Sequence, residues 1–277
     1  MVLPCFVTRR IRGVLVGMKS MFPYHYGGLL ADRTVVPDVA GRIADRVGQM
    51  WLLHTLIVSA SPKGGIAGWE RYQSNSFSTH VLDLAGGFGR VWKQGFSQGQ
   101  RNRIRKAMRS GVCIRKDNSA VAVDSFYKLY LMSSERLGYA SETKGFFERL
   151  LIDAGESADL WLARKGNQDI GGVVVTDDGR DTAYAVYAAS DERYWALCPN
   201  NLLFSTAIED ACASGLGRFD FLPSGRIASL ERFKETFGAE KVQVPEYWIS
   251  GRIPAFKPRL VRLFQEVAWS EKSAGVG

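Results

Sequence analysis

The order of predicted elements between residues 124 and 222 limits the folds open to this chain more than any other feature. Two helical segments with aromatic and leucine side chains three and four residues apart come first, and three short strands separated by hairpin turns follow. A further helix then leads into a last strand. The predicted elements are helices 124–137 and 143–154, strands 159–164, 170–176 and 182–189, helix 200–214 and strand 218–222. An antiparallel meander covered by helices is expected, which indicates the α/β (α+β) class.

The residues before this region predict a second unit that also mixes helices and strands. A chain of 277 residues suits two compact domains, and 46% hydrophobic content is typical of a globular protein. The predicted elements are strand 13–18, helix 37–50, strand 51–60, an exposed Gly- and Ser-rich connection 61–78, strand 79–84, a final strand 241–248 and an apolar helix 260–269. Mixed central sheets flanked by helices are therefore expected.

Charge and cysteine content restrict the partners and the compartment. The net charge of +8 and the sequence pI near 9.4 favour anionic partners, such as nucleic acid, phosphorylated substrates, nucleotide-linked donors or a membrane surface. The four cysteines have no CxxC spacing. This argues against a disulfide framework and a zinc site, and it favours free thiols in a reducing cytosol.

Histidine spacing and hydropathy argue against a metalloenzyme, a secreted protein and a membrane-spanning protein. His25, His54 and His80 lie far apart in sequence, so no catalytic metal site is expected. Three arginines near the N-terminus follow the first apolar burst instead of preceding it, unlike a secretory signal. No run of about 18 apolar residues predicts a membrane span. The sequence also has no Walker motif. A cytoplasmic protein is expected.

Two other stretches predict contacts with ligands. A helix begins at Ser97 and ends at Gly111, and its basic side chains include Arg101 and Arg105, which suit a phosphate clamp. A plain solvated helix face is the alternative. The loop Tyr26-Gly27-Gly28 has paired glycines beside aromatic residues, which lets a ligand approach the backbone closely, although a tight turn has the same composition.

The stretch from Gly217 to Gly238, GRFDFLPSGRIASLERFKETFG, has ionisable groups just beyond a buried strand. Open α/β sheets commonly bind ligands at the carboxyl ends of their strands. This stretch is therefore the predicted reaction site.

Several motifs, in this order along the chain, are similar to one known family. The motifs are MKSMFPYHYGGLLAD, FSQGQRNRIRKAMRSGV, FYKLYLMSSERLG, LWLARKGNQDIGGVVVTDDGRDTAYAVYAAS, CPNNLLFSTAIEDACASGLGRFDF and RFKETFGAEKVQVPEYW. Together they resemble the Fem-type branch of the GNAT acyltransferase superfamily. The resemblance implies tandem GNAT-like domains: a partial first domain over 1–95, a second acyltransferase domain over 96–250 and a helical tail over 251–277.

The resemblance also implies an activity. It implies an enzyme that transfers an acyl or aminoacyl group to an amine of a peptidoglycan or polysaccharide precursor of the cell envelope. The co-substrate would be acyl-CoA or aminoacyl-tRNA, with no tightly bound cofactor. An acyl-CoA-dependent acetyltransferase of exopolysaccharide synthesis and a non-catalytic protein that binds RNA or an anionic polymer through helix 97–110 are the alternatives. Contact with tRNA or with a membrane surface stays open.

Particular residues receive roles from the same resemblance. Phe233 and Lys234 of the RFKETFG motif would lie at the reaction site. Tyr187 would border the donor groove, and core packing is the alternative for this tyrosine. A lysine suits the site because its ammonium stabilises charge that develops on a carbonyl oxygen, although a lysine beside aromatic packing is the alternative. Either Asp220 or Glu235 would take a proton from the acceptor amine, while a structural aspartate is the other reading of Asp220.

The chain departs from the family pattern in two places. The loop 190–201, where ordinary GNAT enzymes have a glycine-rich turn for the coenzyme A pyrophosphate, contains no glycine. The usual grip on acetyl-CoA is therefore not expected, and Asn200 and Asn201 at the helix start are candidates to contact an anion instead. The first domain is shorter than the family pattern, so we expect that Met1 is a late start or that the copy is truncated. The oligomeric state is left open.

Overall fold

The computed structural model divides into two compact units, and each unit contains both parallel and antiparallel strand pairs. The structure describes residues 6–11, 15–19, 37–49, 53–59, 65–225 and 227–249. The first unit contains the described residues up to Thr79 together with 223–225 and 241–249, and the second contains 80–222 and 227–240. The domain boundaries predicted at 95/96 and 250/251 stay a prediction.

The described part of the first unit contains one α-helix, a short 3₁₀ helix and a small core. Its elements are β1 (Phe6–Ile11), β2 (Leu15–Lys19), α1 (Pro37–Gly48), β3 (Leu53–Ser59), the first part of β4 (Gln73–Asp83) and most of β10 (Glu240–Ile249). The strand order β1-β2-β3-β10 has a parallel β2–β3 pair and antiparallel neighbours. Trp69 packs edge-on against Tyr247 at 5.8 Å, and the Ile66 amide donates to the Tyr247 hydroxyl at 2.8 Å.

The second unit carries the predicted meander. Its elements are the end of β4, α2 (Gly87–Arg90), a π-helical turn (Val91–Gly95), α3 (Gln98–Arg109), β5 (Val112–Lys116), α4 (Ala120–Leu137), α5 (Lys144–Asp153), β6 (Ala158–Lys165), β7 (Gln168–Asp177), β8 (Thr182–Ser190), α6 (Pro199–Ala213), β9 (Arg218–Asp220) and α7 (Ala228–Glu235). The strand order is β4-β9-β8-β7-β6-β5, and only the β8–β9 pair in it is parallel. The predicted α/β fold with a mixed, helix-flanked sheet is confirmed.

The apolar runs of β6 and β7 are explained by helices on both faces of this sheet. Trp161 and Ala163 pack with the side chains of α3 and α6 in one cluster. Leu160 and Leu162 pack with α4 and α5 in the other. Because successive side chains of a strand point to opposite faces, a strand covered on both sides is apolar at nearly every position.

Several boundaries differ from the sequence predictions. The predicted exposed connection 61–78 is wrong from residue 73 onward, because β4 begins at Gln73. Strand β5 was not predicted, since it is only five residues long; its pairing with β6 holds it in the sheet. The start of α3 is confirmed, because Ser97 Oγ accepts a hydrogen bond from the Gln100 amide at 3.1 Å. No helix in the described part of the chain is long and apolar enough to cross a bilayer.

Candidate active site

The parallel pairing of β8 with β9 stops early and leaves an opening in the sheet. Thr182 to Tyr184 pair with Arg218 to Asp220, while β8 continues to Ser190. A one-residue bulge at Val186, where the register against β7 shifts, lies just past the last pair. In the described part of the chain, the β9-facing edge of residues 185–190 has no further strand partner. Strand pairing on this side of β8 therefore ends at Tyr184, while the strand itself continues for six more residues.

The chain after β9 turns away through a strained residue. Leu222 has a positive φ of 58°, a conformation that costs a non-glycine residue about 1–2 kcal/mol. Asp220 Oδ1 accepts a hydrogen bond from the Leu222 amide at 2.8 Å, and the Leu222 carbonyl accepts one from Lys234 Nζ at 2.5 Å. The predicted strand 218–222 therefore ends at Asp220, because these two bonds take the Leu222 backbone out of the sheet.

Lys234 and Asp220 are two buried ionisable residues that each bond the backbone of Leu222. Asp220 is 0% exposed and Lys234 is 7% exposed. Burial lowers the pKa of Lys234 to about 8, even though attraction to Asp220 and Glu231 acts in the opposite direction. The loss of hydration therefore outweighs the attraction, yet the ammonium is still mostly protonated near pH 7. The predicted stretch thus contains a lysine that loses its proton at a pH only slightly above neutral.

This lowered pKa predicts a pH dependence of stability. The ordinary lysine pKa is 10.5 and the folded-state value is about 8, so between these values the unfolded chain binds more protons than the folded chain. The free energy of unfolding then rises with pH across that window. Relative to a Lys234→Met variant, the wild type should gain about 3 kcal/mol between pH 8 and pH 10.5. Urea unfolding of both proteins at several pH values measures the difference between their free energies of unfolding. A difference that does not change with pH would show that Lys234 keeps its ordinary pKa.

Phe233 lies in the aromatic packing behind Lys234. Its ring is half-buried and meets Phe204 at 5.5 Å and Phe237 at 5.1 Å, both edge-on. Phe221, directly after β9, stacks on Phe204 at 5.6 Å. The RFKETFG motif therefore fastens α7 to α6 and to the end of β9 through phenylalanines. A catalytic part for Phe233 stays a prediction; its contacts fix the position of its neighbour, Lys234.

Glu235 lies beside a histidine, His80, that the sequence analysis did not predict at the site. The Glu235 side chain is 53% exposed, and its carboxylate lies 3.7 Å from Nε2 of the buried His80. His80 is on β4, and its carbonyl accepts a hydrogen bond from the Phe221 amide at 2.9 Å. No motif marks His80, because only the pairing of β4 with β9 brings these distant parts of the chain together.

Tyr187 lies on the face of the sheet that α4 and α5 cover. Its ring meets Tyr130 at 6.0 Å and Phe147 at 5.1 Å, and burial raises its pKa. It follows the bulge at Val186, three positions beyond the last residue of β8 that pairs with β9. Its predicted place beside the opening stays a prediction, and its position along β8 supports it.

The two asparagines at the start of α6 make internal contacts. Asn200 Nδ2 donates to Ser190 Oγ at 2.9 Å, and Asn201 Nδ2 donates to Gln100 Oε1 at 2.7 Å. A 3₁₀ helix over Glu192–Leu197 occupies the loop where a glycine turn would be, and Pro199 in the first turn contributes no amide hydrogen. The asparagine amides thus hold α6 against β8 and α3. Anion binding by them stays a prediction that requires these bonds to change.

Arg101 and Arg105 differ in what they contact. The Arg101 guanidinium donates to the carbonyl oxygens of Trp92, Lys93 and Phe96 and closes the π-helical turn. Arg105 is exposed, lies over the Trp92 ring at 5.7 Å and donates to Asn102 Oδ1 at 3.3 Å. A phosphate clamp stays a prediction for both, and Arg105 is the more accessible.

Tyr26, Gly27 and Gly28 lie outside the described residues, so their predicted ligand contact stays a prediction.

A separate cleft of about 370 Å³ lies between α4 and the β6–β7 hairpin and contains none of the predicted site residues. Its acidic groups are neutralised, since Asp191 pairs with Arg193 at 2.6 Å and Asp169 with Arg164 at 3.4 Å. The opening beside β8 is therefore the better candidate for the reaction.

Comparison with known proteins identifies related sequences and folds. The family model described as "Acetyltransferase (GNAT) domain" matches residues 96–235. FemX has a similar structure, with a TM-score of 0.54 and 13% identity over 68% of this chain and 64% of that one. The C-terminal domain (DUF2156) of a putative lysylphosphatidylglycerol synthetase from Agrobacterium fabrum has a TM-score of 0.60 and 13% identity over 90% and 82%. L-PGS from Bacillus licheniformis has a TM-score of 0.54 and 14% identity, over 86% of this chain and 77% of that one.

These structural likenesses concern the fold alone, because the identities are 13% to 14%. The chain spans about 64% of the length of FemX. No curated protein sequence matches the chain.

Proposed function

The chain belongs to the acetyltransferase (GNAT) domain family and is an acyltransferase, and from this premise we propose an N-acyl- or aminoacyltransferase that acts on an amine of a cell-envelope precursor. Enzymes of this family bind an acyl donor as co-substrate and an amine as acceptor. The envelope acceptor, whether peptidoglycan or polysaccharide, follows from the Fem-type resemblance of the motifs. The predicted family is thereby confirmed, and the substrates belong to the proposal.

One observation carries the proposal: the β8–β9 opening has the Asp220–Leu222–Lys234 turn at its inner end. The part of β8 beyond its pairing with β9, residues 185–190, suits a donor arm with amide groups, because such an arm pairs with a strand through main-chain hydrogen bonds. Lys234 is bonded to the carbonyl of the residue where the chain leaves the sheet. A donor carbonyl that enters the opening would then meet a buried ammonium.

The chemistry is attack of the acceptor nitrogen on the donor carbonyl carbon. The C–N bond forms as negative charge develops on the carbonyl oxygen, and collapse of this intermediate expels the thiolate or alkoxide of the donor carrier. Lys234 supplies a cation in a poorly hydrated site, where such stabilisation is strongest. Glu235 is the better proton acceptor for the amine, because Asp220 is fully buried and Glu235 is half-exposed.

The donor is less well defined than the reaction. The glycine-free loop before α6 and the engaged asparagines argue against the usual pyrophosphate grip. The exposed basic side chains of α3 offer another place for phosphates, and this helix has no acidic residue. These features, with the Fem-type resemblance, support aminoacyl-tRNA as the donor, and acyl-CoA is the alternative. The name of one structural neighbour, lysylphosphatidylglycerol synthetase, gives a further reason to test aminoacyl donors.

A direct test offers the full chain both donors together with a nucleotide-linked envelope precursor that carries a free amine. The mass of the precursor should increase by one acyl or aminoacyl group, and the productive donor should raise the melting temperature. At 100 times its Kd a ligand adds about 2.7 kcal/mol to the free energy of unfolding. If neither donor stabilises the protein or modifies the precursor, the proposed substrates are wrong.

The basic face of α3 favours one second candidate, a protein that holds RNA or an anionic polymer without catalysis. Arg103, Arg105, Lys106 and Arg109 are all exposed on this helix. Affinity for RNA that falls steeply with added salt, in a protein that transfers no acyl group, would support this candidate. An acyl-CoA-dependent acetyltransferase of exopolysaccharide synthesis would instead show transfer from acetyl-CoA with no need for tRNA.

A further inference from the structure

The cleft of about 370 Å³ between α4 and the β6–β7 hairpin has a volume typical of a small-molecule site, about 300–1,000 Å³. Arg164 and Asp169 line it from the hairpin, Asp191 and Arg193 line it from the chain directly after β8, and Lys128 lines it from α4. None of these residues takes part in the proposed acyl transfer, so that reaction does not account for the charged lining. We call this cavity the α4–hairpin cleft.

The carboxylates of the α4–hairpin cleft are buried, whereas its cations are exposed. The Asp191 side chain is 1% exposed, and the Arg193 side chain that pairs with it at 2.6 Å is 69% exposed. The Asp169 side chain is 7% exposed, and that of Arg164, at 3.4 Å, is 43% exposed. A ligand that enters the cleft therefore meets guanidinium groups, while the two carboxylates lie beneath them.

Part of the Arg193 guanidinium is left for a ligand. Its Nε donates to both carboxylate oxygens of Asp191 at 3.0 Å, and its Nη2 donates to Oδ2 at 2.6 Å. Because a guanidinium has five N–H donors, both Nη1 hydrogens and one Nη2 hydrogen are not used by this carboxylate. The edge formed by Nη1 and Nη2 is one on which arginine binds an oxyanion through two parallel hydrogen bonds.

Lys128 gives the cleft a positive charge that no carboxylate balances. It is exposed on α4, and in the described part of the chain no carboxylate lies within ion-pair distance of it. Three cationic side chains thus line the cleft with only two acidic ones. The cleft therefore favours an anion over a neutral or cationic ligand.

A phosphate group fits this arrangement. A phosphate monoester has a charge of about −1.5 to −2 at pH 7 and three acceptor oxygens, which suit the free arginine edge together with a lysine ammonium. Polar side chains that can bond the hydroxyl groups of a ligand line the same cleft: Ser125, Asn167 and Gln168.

We propose that the α4–hairpin cleft binds the phosphate group of a small phosphorylated ligand, such as a sugar phosphate, through Arg193 and Lys128. Arg193 belongs to the loop 190–201, which contains no glycine, so the bound phosphate contacts side chains instead of the backbone amides of a glycine turn. The site goes beyond the proposed acyl transfer and does not depend on it, because the two use different residues.

Calorimetric titration of the full chain with glucose 6-phosphate and with glucose at pH 7 tests this site without any acyl donor or acceptor. The wild type should bind the phosphorylated sugar at least ten-fold more tightly than glucose. Lys128→Gln and Arg193→Lys should each weaken the binding of glucose 6-phosphate about ten-fold. Lys128 has no ion pair to lose, and a lysine at position 193 keeps a positive charge beside Asp191 but lacks the flat edge with two donors.

Arg180→Gln is the matched control, because it removes an exposed arginine from the turn after β7, outside the cleft. It should keep the wild-type affinity for glucose 6-phosphate. Equal binding of the two sugars, binding of neither, or unchanged affinity in either cleft variant would overturn the proposal, and so would an equal loss in Arg180→Gln. Melting temperatures show that each variant is folded. Because no donor is present, failure of phosphate binding and failure of acyl transfer are separate results.

Discussion

Replacing Lys234 with methionine is expected to lower the turnover number by about 10²- to 10³-fold, the usual cost of removing one group that stabilises a developing oxyanion. The ammonium is buried, it is still mostly charged near pH 7, and it bonds the carbonyl at the inner end of the β8–β9 opening. Methionine has a similar volume but no charge. The KM for the donor should change much less, because the charge acts mainly in the transition state.

Steady-state kinetics with the productive donor and acceptor measure this effect. Lys93→Met removes an exposed lysine from the π-helical turn and serves as the matched control. Unchanged turnover in Lys234→Met, with the same melting temperature as the wild type, would remove Lys234 from the reaction and leave it a structural role at the Leu222 turn.

Replacing Gly238 with alanine is expected to lower the free energy of unfolding by about 3 to 5 kcal/mol. This loss is the sum of two costs: the strain of a positive φ in a residue with a side chain, and the backbone shift that relieves the overlap of the new Cβ with Gly95. Gly238 has a φ of 81°, and a Cβ there would lie 2.6 to 2.8 Å from the carbonyl oxygen, Cα and carbonyl carbon of Gly95. Since all three are backbone atoms, no side chain can swing aside.

Gly179→Ala provides a matched control for this prediction. Gly179 also has a positive φ, 63°, but a Cβ there would meet no atom within 4 Å, so only the conformational cost of about 1–2 kcal/mol remains. Urea unfolding of the two variants and the wild type separates the two terms. Equal losses in both variants would show that the contact with Gly95 relaxes freely.

The close contact of Gly238 with the Gly95 backbone also helps to fix the position of α7, the helix that carries Lys234. Beside it, the Ser97 amide donates to the Thr236 carbonyl at 2.9 Å, and Phe96 meets Phe237 edge-on at 5.2 Å. The end of α7 is thus clamped to the start of α3, one turn away from Lys234. A Gly238→Ala protein that still folds should therefore also lose activity.

Prediction from the sequence succeeded where the signal is local. Hairpin turns, helical spacing and the Ser97 cap depend on residues close together in the chain, and the structure has these elements within a few residues of their predicted bounds. It failed for the five-residue β5 and for the polar start of β4, because neither segment has a clear periodic pattern of its own.

The amino-acid sequence by itself determined the α/β class, the GNAT family and the stretch that contains Asp220 and Lys234, because periodicity and motif order are written in the chain. Only the tertiary structure decided that Lys234 bonds the Leu222 carbonyl, that His80 lies beside Glu235, and that Arg101 closes a turn. The physical reason is that these contacts join groups whose exact placement depends on strand register and helix packing, which no local pattern records.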